Sequence, residues 1–85
     1  NIPILNLYGK NGSLKNSTNL IGVTDFIDIN KKYILYNIGR DIYFGKTNSK
    51  VMSKYTAAMD IKNLIIVSDT TFVVIYSNSL EVVTV

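Results

Sequence analysis

The sequence predicts an all-β or mainly β fold of about six or seven short antiparallel strands, forming a single domain over residues 1–85. Three observations lead there. Val, Ile, Thr, Tyr and Phe gather into short runs of strand length. Gly, Asn, Ser and Asp punctuate those runs at short intervals. Only one stretch, near residues 50–60, spaces its apolar residues as a helix would.

Taken in order, Ile2-Pro3-Ile4-Leu5-Asn6-Leu7-Tyr8 is apolar and β-favouring, and Pro3, which has no N–H to donate, confines it to an edge. Gly9 to Asn19 is polar and contains Asn11-Gly12, a strong two-residue turn signal, so it reads as a loop or a tight hairpin turn. Leu20 to Ile29 is a strand in which Phe26-Ile27-Asp28-Ile29 alternates in polarity, and Asn30-Lys31-Lys32 turns it into Tyr33-Ile34-Leu35-Tyr36. Asn37-Ile38-Gly39-Arg40 breaks the pattern before the strand Asp41-Ile42-Tyr43-Phe44, and Gly45 to Ser49 forms another polar loop. Between Lys50 and Asp60, Val51, Met52, Tyr55, Ala58 and Met59 fall near helical spacing, and two alanines favour a short helix. Ile61 to Val67 and Thr71 to Tyr76 are the most hydrophobic stretches, joined by Ser68-Asp69-Thr70 as a buried hairpin. Ser77-Asn78-Ser79 then leads into a last strand, Leu80 to Val85. Residues 19–25 echo residues 63–69, which chance similarity in this composition explains and a duplicated strand–turn–strand unit would explain as well.

A chain of 85 residues buries only roughly 60–65% of its unfolded surface, so packing against a partner would help it. At 47% hydrophobic and 18% charged, the composition suffices for a core. There is no Cys, His or Trp, which removes disulfides, thiolate metal sites and the Ser/His/Asp and Cys/His catalytic arrangements. No apolar run reaches the ~18–20 residues of a membrane span, and the first residues lack the basic start and the length of a signal peptide. A start at Asn1 rather than Met fits a mature product or an excised piece of something longer. These features predict a soluble chain and leave the compartment open.

The carboxylates Asp25, Asp28, Asp41, Asp60, Asp69 and Glu81 do not form a catalytic or metal-binding pair, because an extended backbone sends Asp25 and Asp28 to opposite faces. Gly9-Lys10-Asn11-Gly12-Ser13 lacks the spacing of a phosphate loop and reads as a turn. Asn11-Gly12-Ser13 and Asn16-Ser17-Thr18 satisfy the glycosylation sequon, which has meaning only in a secretory pathway. Nine Lys+Arg against six Asp+Glu give a net charge of +3, which favours anionic partners. Lys31, Lys32, Arg40 and Lys46 lie among Tyr33, Tyr36, Tyr43 and Phe44, the mixture of cations and stacking faces that single-strand binders use. The glycine-spaced aromatic triplet of an RNA-recognition sheet is missing.

The run Asp60-Ile61-Lys62-Asn63-Leu64-Ile65-Ile66-Val67-Ser68-Asp69-Thr70-Thr71-Phe72-Val73-Val74-Ile75 resembles a hairpin that follows the catalytic domain of mannose-1-phosphate guanylyltransferases. Asp60 stands where that family has glycine, and Ser68-Asp69-Thr70-Thr71 replaces its acidic turn. Ser77-Asn78-Ser79 with Leu80-Glu81-Val82 is similar in character to the ending of that extension, and the resemblance as a whole covers residues 60–83. The family's glycine-rich nucleotide loop has no counterpart, so the resemblance implies a non-catalytic C-terminal piece that assists assembly.

The expected function is a non-enzymatic binding or assembly module without cofactor or metal, whose partner is itself or a larger protein chain. Its interface candidates are Leu64, Ile66, Phe72 and Val74, drawn from two runs apolar on both faces. The alternatives are a nucleic-acid or polyanion-binding domain using Lys31, Lys32, Arg40 and Tyr36, and the nucleotidyltransferase piece just described.

Overall fold

The computed structural model describes residues 3–47, 49 and 51–85. Ile2, Asn48 and Lys50, which the sequence assigns to a strand, a loop and a helix, lie outside the described residues. The rest is all-β, with nine strands: β1 (Ile4–Tyr8), β2 (Leu14–Asn19), β3 (Ile27–Ile29), β4 (Tyr33–Ile38), β5 (Asp41–Lys46), β6 (Ser53–Thr56), β7 (Asn63–Ile66), β8 (Thr71–Ile75) and β9 (Leu80–Thr84). Every pairing is antiparallel and joins sequence neighbours, giving the sheets β1-β2, β3-β4-β5-β6 and β7-β8-β9.

The four-stranded sheet is the middle layer, because β4 is apolar on both of its faces. On one face Leu35, with Ile42 and Phe44 of β5, packs against Leu64, Phe72 and Val74 of the third sheet. On the other, Ile34 and Tyr36 pack with Leu20, backed by Leu5 of β1 and by Met52. Phe44 and Phe72 meet across the first interface with ring centroids 5.4 Å apart, and burying a ring of that size stabilises by about 1.5–3 kcal/mol. Asn37, the buried polar residue of β4, is satisfied on both sides: Oδ1 accepts from Phe26 N–H at 3.1 Å and Nδ2 donates to Gly39 O at 2.9 Å.

The structure corrects several local expectations. The helix near 50–60 is absent among the described residues, and Ser53–Thr56 instead forms β6 along β5, with Tyr55 opposite Ile42. β5 presents an edge that needs a partner, and the Tyr55 ring gains an edge-on contact with Phe72 at 6.3 Å. Tertiary pairing outweighs the weak preference of two alanines. Of the stretch 9–19, expected as a loop or a tight hairpin turn, the tight turn is present, with Asn11 Oδ1 accepting from Ser13 N–H and Gly12 at a φ of 83°, but Leu14–Asn19 is β2, a polar strand held by β1. Conversely, Leu20 to Phe26 is irregular and only Ile27–Ile29 is strand, so the echo between 19–25 and 63–69 is no structural repeat.

Candidate functional site

The third sheet presents two faces of nearly equal hydrophobicity. Its register sets Leu64 beside Val74 and Glu81, and Ile66 beside Phe72 and Val83. That set faces the middle sheet, since Leu64, Phe72 and Val74 belong to the core and Ile66 and Val83 pack on it. The alternate set, with Ile65, Val73 and Val82 in one row and Ile75 and Leu80 in the next, faces away. Leu80 is 60% exposed and Val82 63%. The interface candidates Leu64, Ile66, Phe72 and Val74 are therefore corrected: they are the inward phase, and Val74 is fully buried within this chain. The apolar side chains that the strands of this sheet leave exposed are Ile65, Leu80 and Val82 instead.

The two edges of this sheet also differ. Val67 N–H donates to Thr71 O, which fixes the phase of β7 and turns the N–H groups of Leu64 and Ile66 away from β8. Both are capped by side chains: Leu64 N–H by Asn63 Oδ1 at 2.8 Å, and Ile66 N–H by Asp28 Oδ2 at 2.7 Å, reaching over from β3. On β9, Tyr76 N–H donates to Ser79 O and Val85 N–H to Thr70 O. Alternation then leaves the N–H and C=O of Leu80, Val82 and Thr84 pointing away from β8, and no described strand lies beyond them.

The one charged residue of β9, Glu81, points inward. Its carboxylate accepts from Tyr55 Oη at 3.2 Å and from Tyr76 Oη, linking β9 to β6 and to the residue following β8. Burial first, and then the hydrogen bond to Glu81, push the Tyr76 phenol up to about 12, and the same causes raise Tyr55.

The basic candidates are not brought together. Lys31 and Lys32 sit on the β3–β4 turn, whereas Arg40 lies on the β4–β5 turn at the opposite end of that hairpin. There its Nε is 3.1 Å from Asp60 Oδ1. Tyr36 is buried, its hydroxyl accepts from Ile21 N–H, and its ring stacks on Tyr43 with centroids 5.4 Å apart. Burial raises its pKa above the usual 10. Tyr33 is half-buried and stacks likewise on Phe44, so the Tyr36 ring is spent inside the fold and the Tyr33 ring in part. Asp25 and Asp28 act as backbone acceptors, for Gly39 N–H and Ile66 N–H. Among the described residues no group of three or more His, Cys, Asp or Glu could hold a metal ion, and no helix is long and apolar enough to cross a membrane.

A search against protein families, curated proteins and solved structures finds no match to this chain. A hairpin of aliphatic strands such as β7–β8 is common to many folds, and the resemblance of residues 60–83 rests on those residues alone.

Proposed function

We propose that this chain is a non-catalytic assembly module that pairs with a second copy of itself along β9. The observation that carries the proposal is the contrast within one sheet: the β7 edge is capped by Asn63 and Asp28, while the β9 edge leaves the outward backbone groups of Leu80, Val82 and Thr84 without a strand partner among the described residues. Protected edges usually carry Lys, Pro, a bulge or an inward charge; β9 is Leu-Glu-Val-Val-Thr, with only the inward charge of Glu81 among these. Its inward carboxylate is already held by Tyr55 and Tyr76, so a strand added outside meets a satisfied group.

The occupant that fits is a second copy, because the free backbone groups are symmetric about Val82. Antiparallel two-fold pairing sets Val82 against its symmetry mate and Leu80 against Thr84, each pair exchanging N–H and C=O. The apolar outer row of Ile65, Val73 and Val82 then continues across the seam through the two Val82 side chains, with no like charges opposed. Light scattering coupled to size exclusion tests this at low and high salt. The expected result is a dimer indifferent to salt and lost in Val82→Pro, which removes the central donor. A monomer at millimolar concentration would overturn the proposal and leave the edge to a larger protein chain.

A further inference from the structure

We propose that the hollow between the β3–β4 turn and the end of β5 binds a phosphate or sulfate group. Lys31, Lys32, Tyr33, Lys46, Thr47 and Asp69 line a space of about 480 Å³, within the range of small-ligand sites. The backbone fixes this convergence: Tyr33 pairs with Lys46, and Thr47 N–H donates to Lys32 O at 3.0 Å. Among the described residues the ion pairs are Arg40 with Asp60 and Lys54 with Asp41, so none of the three lysines is neutralised by contact. Three lysines and one aspartate line the space, and a doubly charged anion would offset the lysines' mutual repulsion.

A second, independent feature points to the same ligand. Thr47 is 4% exposed, and its hydroxyl is a buried side-chain polar atom without a hydrogen-bond partner among the described residues. Its backbone is fully used, with the carbonyl accepting from Thr18 Oγ1 at 2.9 Å. Buried hydroxyls are ordinarily paired, and an oxyanion seated on the lysines would accept this one after a turn about χ1. The one aromatic ring of the lining, Tyr33, already stacks on Phe44. The recognised chemistry is therefore the oxyanion rather than a nucleobase.

The test is a titration of the labelled 85-residue chain with inorganic phosphate, followed by amide chemical shifts. Saturable shifts confined to residues 31–33, 46–47 and 69 are expected. Removing one lysine charge in Lys46→Gln, or the hydroxyl in Thr47→Val, should each weaken binding about two- to fivefold, and Asp69→Asn should tighten it by a similar factor. A parallel titration with a short oligothymidylate separates sources: tighter, salt-sensitive binding at the same amides assigns the group to a nucleic-acid backbone, and its absence assigns it to a small phosphate ester. Non-saturating shifts shared with Lys10, Lys15 and Lys62, unchanged affinity in either weakening variant, or weaker binding in Asp69→Asn would overturn the proposal.

Discussion

The two edges of the third sheet are built from equally hydrophobic strands, yet β7 is closed and β9 is open. The closure of β7 is achieved by two side-chain oxygens, from Asn63 and Asp28, each answering one backbone N–H. β9 directs its only charge inward, to Tyr55 and Tyr76, and offers its outer backbone to whatever strand arrives. Whether an edge is sealed thus depends on individual acceptors placed beside it, with strand hydrophobicity having little say.

The largest effect expected comes from the inner face. Phe72→Ala should cost about 3–5 kcal/mol, a large share of the ~5–15 kcal/mol typical of a whole domain, measured by urea unfolding. A loss below 1 kcal/mol would erase the distinction between the faces. Asp28→Ala leaves the Ile66 N–H bare at a cost of about 1–3 kcal/mol and should speed hydrogen exchange at Ile66, converting the closed edge into an open one. Asp28→Asn keeps an acceptor and should lose less.

The tether that holds β9 from inside gives a pH dependence. In the unfolded chain Tyr76 loses its proton near a tyrosine's usual value of 10, in the folded chain at about 12. Its contribution is fully present below pH 10 and is lost as pH rises through 12, because only the unfolded state gains from deprotonation in that window. The urea midpoint should fall between pH 10 and 12, and less steeply in Tyr76→Phe. The smallest effect on monomer stability, within about 0.5 kcal/mol, is expected of Val82→Lys, which should nevertheless abolish self-association by light scattering.

The middle and C-terminal strands were legible in the sequence because their aliphatic runs admit no other use. Which face each residue takes was not. Residues 64–67 and 72–75 are apolar in both phases, so no period-two signal separates Leu64 from Ile65, and only the register with β8 and β9 does. β2 and β6 were illegible for a different reason: Leu-Lys-Asn-Ser-Thr-Asn and Ser-Lys-Tyr-Thr become strands through the neighbours that pair with them. The lysine cluster follows the same logic. Hairpin pairing brings Lys46 back to Lys31 and Lys32, and sends Arg40, which lies between them in sequence, to the far end.

Each sheet is one uninterrupted stretch of chain, and among the described residues each strand pairs its backbone ladder only with sequence neighbours. Local pairing of this kind is expected to let hairpins close on the microsecond scale, with the stacking of the sheets, which joins residues distant in sequence, as the slower step. During that interval β7 stands without Asp28, which arrives only when the second and third sheets meet. The edge that is sealed in the finished molecule is briefly as sticky as the one that stays open, and misassembly by strand exchange belongs to that window.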